Sequence, residues 1–125
     1  MKLLIVDDDE SLCGMLEAHF GDECACDILI ARNAREALQR LELERPEGML
    51  LDVNLGKGLS GFDVLERARK ISPETKVIMI TGSNDYESIE NARKLGAVDY
   101  VTKPFTFEYL EETVAAKIAK HVTQT

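Results

Sequence analysis

Short apolar runs, each followed by apolar residues at helical spacing, recur five times along this 125-residue chain, with no linker, repeat or low-complexity stretch between them. Lys2 to Val6 is predicted as a buried strand, and Leu12, Met15, Leu16 and Phe20 then follow as the inward stripe of a helix. Cys26 to Ile30 is the second strand. Asn33, with Glu36 three residues on, predicts a capping box that opens a helix through Ala37, Leu38 and Leu41 and stops before Pro46. Met49 to Leu51 forms the third strand and ends at Asp52. Beyond the loop GKGLSG a helix carries Val64, Leu65 and Ala68 inward, until SPET breaks it. Val77 to Ile80 is the fourth strand. Asn84 and Glu87 suggest the next cap, with Ile89, Ala92 and Leu95 facing inward and Gly96 ending the helix. Val98 to Val101 completes the strands, and Leu110, Val114 and Ile118 line one face of a last helix.

Strands apolar on both faces, alternating with helices, require a parallel sheet covered on each side. Right-handed crossovers then point to an α/β, flavodoxin-like doubly wound fold: five parallel strands in the order 2-1-3-4-5 and five helices. In that order strands one and three are neighbours although a strand separates them in sequence. A crevice therefore opens between their carboxyl ends, and residues just beyond those ends share it. The length suits one domain, which at this size buries roughly two thirds of the surface its unfolded chain exposes.

The apolar run LLIV passes directly into Asp7, Asp8, Asp9 and Glu10. Asp7 and Asp8 follow strand one and Asp52 follows strand three, so the crevice gathers three carboxylates. Such a cluster calls for a cation. Magnesium fits hard oxygen ligands of this kind. Thr81 ends strand four and Lys103 follows strand five, adding a hydroxyl and an ammonium to the same rim. Together these groups suit an aspartyl phosphate: a carboxylate attacks phosphorus, while a metal, a lysine and a hydroxyl hold the phosphoryl oxygens. Asp9 and Glu10 are better placed to serve the dipole of the first helix.

LLIVDDDE, LLDVN, VIMITG and GAVDYVTKPF together resemble the receiver domain of bacterial two-component response regulators, along essentially the whole chain. The resemblance implies a receiver domain over residues 1–122 with a short C-terminal tail at 123–125. It implies a phosphorylation-controlled switch rather than an enzyme with an independent substrate. A sensor histidine kinase or histidine phosphotransfer protein would supply the phosphoryl group to Asp52. Asp8, Asp52 and the backbone carbonyl of Asn54 would bind Mg2+ directly, and Asp7 through metal-bound water. Thr81 and Lys103 would contact the phosphoryl group. Tyr100 would be the switch residue, turning inward as Thr81 moves and so changing the surface of the fourth helix, fifth strand and fifth helix, a possible homodimer contact. The resemblance also implies a cis bond between Lys103 and Pro104. Where the family usually has Met-Pro three and four residues after the acceptor, this chain has Leu55 and Gly56, and its Gly61 falls nine residues after Asp52 instead of eight.

Composition narrows the alternatives. A net charge of -8 argues against direct nucleic-acid binding by this chain. With no run of 18 apolar residues and no basic-then-apolar leader, a cytoplasmic protein that does not enter the membrane is expected. Cys13, Cys24 and Cys26 lack a second ligand pair for a metal and read as reduced structural thiols. His19 and His121 read as surface or helix-end residues. A flavin carrier on the same fold would need amides and hydroxyls, not acids, after strand one. A degenerate receiver acting only as an interaction module would not need all five site residues.

Overall fold

The computed structural model describes residues 1–23, 26–56, 58–82 and 85–119. Five parallel strands, β1 (Lys2–Val6), β2 (Asp27–Ala31), β3 (Gly48–Asp52), β4 (Lys76–Thr81) and β5 (Asp99–Thr102), form one sheet in the order β2-β1-β3-β4-β5. The connections are α1 (Glu10–Glu23), α2 (Ala34–Glu44), α3 (Gly61–Ile71) and α4 (Tyr86–Lys94), and α5 (Phe107–Val114) runs on into a π-helical turn at Ala115–Ala119. This is the doubly wound α/β fold expected from the alternation. Among the described residues no helix is long and apolar enough to cross a membrane.

Strand period two divides the core. Leu4, Val6, Met49, Leu51, Val77 and Met79 face α2, α3 and α4, where Ala37, Leu41, Val64, Leu65, Ala68 and Ala92 are buried. Leu3, Ile5, Leu50, Ile78, Ile80 and Val101 face α1 and α5, against Cys13, Leu16, Phe20, Leu110, Val114 and Ile118. Both faces of the sheet are lined by buried aliphatic side chains, and Asp7, Asp52 and Thr81 stand at or just past strand ends.

Several local expectations shift. Met15 is half exposed and Cys13 is buried in its place. Cys13, Leu16 and Phe20 share a face three and four residues apart, whereas Met15 lies one position, about 100°, off that stripe. His19 is not a free surface group: its ring packs against Phe20 and Phe107, and its Nε2 lies 3.0 Å from Glu111 Oε2, tying α1 to α5. Asn84 lies outside the described residues, as do Cys24, His121 and the tail at 123–125. The cap of α4 is Asp85, whose side chain accepts from the Ser88 N–H. Asn33 caps α2 as expected, but Glu36 answers the backbone N–H of Arg32 rather than that of the cap residue. Cys13 and Cys26 are buried, and the Lys103–Pro104 bond is cis.

The start of α3 fixes the backbone at the end of β3. Ser60 caps the helix in a full capping box with Asp63, a signal present in the sequence as Ser60 followed by Asp63 three residues on. At Gly61 a Cβ would sit 2.1 Å from the carbonyl oxygen of Asp52 and 2.7 Å from Val53 Cα, and the Gly61 N–H donates to Val53 O at 2.8 Å. The helix thus presses its first residue onto the strand end, an approach only glycine permits. The extra residue of the loop is taken up earlier, where Gly56 and Gly58 adopt φ of +79° and +96°. Gly61→Ala is expected to cost about 2 to 3 kcal/mol through overpacking. Gly58→Ala, with nothing within 4 Å of its Cβ, should cost only the left-handed backbone penalty of about 1 kcal/mol. Urea unfolding of the two variants measures the difference, and the reverse order would contradict the close approach.

Candidate functional site

Asp7 lies one residue past β1 and is 4% exposed; Asp52 closes β3 and is 7% exposed. Asp8 is exposed beside them. Each offers a carboxylate oxygen, and the three atoms lie within 4.8 Å of one another. Burying two like charges side by side is costly unless a cation is near. Lys103 provides one: its Nζ donates to Asp7 Oδ2 at 3.1 Å and to Asp52 Oδ2 at 3.4 Å. The Lys103 backbone is fixed by its N–H donating to Thr81 O at 2.7 Å, which joins the ends of β4 and β5.

The remaining site residues fall around this pair. The Asn54 backbone N–H donates to Asp52 Oδ1 at 3.1 Å, so one carboxylate oxygen is tied to its own loop and the other faces the lysine. Thr81 ends β4 and is 1% exposed. A Cβ at Gly56 would meet Asp8 Oδ2 at 3.7 Å, an ordinary van der Waals contact, so the glycine there answers the positive φ and not a close approach to the outermost acid. Asp9 caps α1 by accepting from the Leu12 N–H at 3.1 Å, and Glu10 pairs with Arg32. Both acids therefore serve the helix end and the neighbouring loop, as anticipated.

Electrostatics follow from burial. Desolvation pushes the Asp52 carboxyl above its ordinary value of 3.8, with Asp7 adding to the rise and the Asn54 N–H and Lys103 opposing it. For Lys103 burial pulls downward, but the hydrogen bond to Asp7 and the charges of both carboxylates outweigh it, and its ammonium is held above the usual lysine range. Cys13 joins the site without a sequence signal for that role: its Sγ donates to the Asp7 carbonyl at 3.4 Å. Burial, then the charge of Asp7, raises that thiol to about 11, so it stays protonated and serves as a fixed donor.

The Tyr100 ring is half-buried against the α2-α3-α4 side of the core, and burial pushes its hydroxyl above the ordinary value of 10.0.

The model of the response regulator receiver domain matches residues 3–115. Among relatives, a putative response regulator, NtrX-like, of Rickettsia felis is 35% identical over 125 residues, covering 99% of this chain and 26% of that protein. The chain spans between 23% and 53% of the first five curated relatives it matches. A CheY-like receiver domain protein from Methanospirillum hungatei superposes with a TM-score of 0.92 at 30% identity, covering 99% of this chain and 98% of that one. A response regulator protein from Burkholderia pseudomallei, solved with a phosphorylated aspartic acid, a calcium ion and citrate, superposes with a TM-score of 0.84 at 26% identity, covering 98% and 71%.

A pH dependence arises from the raised Asp52 carboxyl. A folded-state value above the unfolded one contributes stability that is full below the unfolded value and is lost as pH rises through the folded value. Asp52→Asn removes that loss. In chelator, the stability of Asp52→Asn relative to wild type should therefore climb as pH rises from the ordinary carboxyl value through the raised one, and then level off. Urea unfolding across this range checks it; parallel curves would mean that burial does not set the Asp52 carboxyl.

Proposed function

The chain belongs to the response regulator receiver family, and from that premise we propose that it is a phosphorylation-activated switch that takes a phosphoryl group onto Asp52. Receiver domains act as signalling switches and interact with histidine kinases or phosphotransfer proteins, and the proposed donor is a phosphohistidine on such a partner. The observation that carries the reading is the Lys103 ammonium spanning Asp7 and Asp52 at the rim of a three-carboxylate cluster.

The cluster's chemistry suits Mg2+: acceptor-only hard oxygens and one exposed edge at Asp8 for retained waters. Asp8 and Asp52 would hold the ion with the Asn54 carbonyl, and Asp7 through water. When bound, it supplies charge neutralisation at the phosphoryl oxygens. The chain's own groups do the rest. Asp52, as the carboxylate, forms an O–P bond as the donor's N–P bond breaks, the electron pair leaving on the imidazole nitrogen. Lys103 moves from bridging two carboxylates to meeting a phosphoryl oxygen, and Thr81 donates its hydroxyl to another. The added charge of about -1.5 to -2 is what Thr81 and Lys103 answer. The surface of α4, β5 and α5 is the proposed readout and a possible homodimer contact. Residues 1–122 are taken as the receiver, 123–125 as a tail, and the cytoplasm as its compartment. No direct contact with nucleic acid is expected from so acidic a chain.

With acetyl phosphate and Mg2+, intact mass should rise by one phosphoryl group in wild type and not at all in Asp52→Asn; an equal gain in both would overturn the assignment. Asp8→Asn should weaken Mg2+ binding by at least about tenfold, the scale at which metal-site shells act, while Asp9→Asn leaves it nearly unchanged. Comparable affinities in a titration would move the ion away from Asp8.

A further inference from the structure

Asp7 is held at every polar group it has. Its backbone N–H donates to Ala31 O at 3.1 Å, its Oδ1 receives the Asp9 N–H at 3.0 Å, its Oδ2 receives Lys103 Nζ at 3.1 Å, and its carbonyl receives Cys13 Sγ at 3.4 Å. Asp8, the next residue, is exposed, so the direction of its carboxylate depends on the backbone that carries it. That backbone is the Asp7–Asp8 peptide group, a rigid plane whose oxygen is the Asp7 carbonyl. A hydrogen bond to this oxygen fixes the turn of the plane, and with it the bearing of the Asp8 side chain. Cys13 makes that bond. The thiol is 2% exposed, packed among Ile5, Leu16 and Phe20, and the Cys13 N–H donates to Asp9 O at 3.0 Å. The first turn of α1 thus grips Asp7 twice, at Oδ1 through the Asp9 N–H and at the carbonyl through Cys13. A thiol suits the place, since it combines a small apolar body with one weak donor.

We propose that Cys13 is a positioning residue for the acids that would hold the metal: by donating to the Asp7 carbonyl it sets the Asp7–Asp8 peptide plane, so that Asp8 leaves the end of β1 directed toward Asp52 before any ion arrives. The inference rests on the Mg2+ reading and deepens it. Asp7, Asp8 and Asp52 bring carboxylate oxygens within 4.8 Å of one another, an arrangement that their mutual repulsion opposes. Lys103 offsets the repulsion for Asp7 and Asp52. For Asp8 the backbone has to do so, and a plane held at its oxygen gives the side chain less freedom to swing out into solvent. Asp7 is 4% exposed, and a buried carbonyl left without a donor is unfavourable, so loss of the thiol lets the plane turn toward water.

Donor and bulk are separable at this position. Cys13→Ala removes both, Cys13→Val keeps an apolar body without a donor, and Cys13→Ser keeps a donor with less apolar bulk. Mg2+ alone is the probe, titrated into the full chain and followed by amide NMR. Affinity is expected to fall about threefold to tenfold in Cys13→Ala and Cys13→Val, the low end of what supporting contacts at metal sites are worth because a thiol is a weak donor, and to return within about twofold of wild type in Cys13→Ser. Urea stability of the same proteins follows packing and ranks Cys13→Val above Cys13→Ala. If Cys13→Val binds Mg2+ as wild type does, or if affinity simply ranks as stability does, Cys13 is a core residue and nothing more. A second readout needs no ion: in chelator, the carbonyl carbon signal of Asp7 and the amide signal of Asp8 should move in Cys13→Ala and Cys13→Val and stay close to wild type in Cys13→Ser. Failure of wild type to bind Mg2+ would sink the metal reading itself. The metal-free signals then judge the positioning alone: movement in the two donorless variants supports it, and unmoved signals overturn it.

Discussion

Two carboxylates buried side by side and bridged by one ammonium are the constraint around which this molecule is arranged. Asp7 and Asp52 are nearly inaccessible, and in a low-dielectric setting their repulsion would unfold or neutralise the site if Lys103 were elsewhere. The lysine reaches both only because β1, β3 and β5 end at the same level of one parallel sheet, and because its own N–H is pinned to the end of β4. The sheet order is therefore an electrostatic requirement as much as a packing result. A stand-alone pair of acids after β1 would be an ordinary solvated loop.

The rest of the fold isolates that cluster from its cost. Both faces of the sheet are filled with aliphatic side chains, and the acids of the cluster stand at or just past the strand ends. Helix caps take up the other acids. Asp9 closes α1, Asp63 completes the box at α3 and Asp85 closes α4, each turning a negative charge toward backbone N–H groups, where it is favourable. A chain with net charge -8 can thus place three acids in one crevice without surrounding it with further repulsion.

How much of this could be read from the sequence depended on whether the signal was local. The strands, their order and the gathering of Asp7, Asp8, Asp52, Thr81 and Lys103 were legible because period-two burial and right-handed crossovers leave few arrangements. The choice between Met15 and Cys13 was not, since hydrophobicity ranks methionine as core while helix phase puts it outside. His19 was opaque for another reason. It acquires its partner, Glu111, from an element distant in sequence, and a histidine does not announce such a partner by spacing. The cap of α4 falls at Asp85, one residue beyond the expected Asn84, and its side chain accepts from the Ser88 N–H.

The loop after Asp52 shows why a departure from the family's spacing need not disturb the site. Its usual Met-Pro is replaced by Leu55 and Gly56, and the glycine that opens α3 comes one residue late. Leu55 is buried and anchors the near side of the loop, while Gly61 is locked against the Asp52 carbonyl on the far side. Between these two fixed points the additional residue is accommodated by left-handed glycines, whose turn costs little. The end of β3 is consequently held by contacts that do not depend on loop length: the Asn54 N–H on one carboxylate oxygen, Lys103 on the other, and α3 behind the backbone. Loop length can then vary in its outer part, close to the exposed Asp8, while the nucleophile keeps its position.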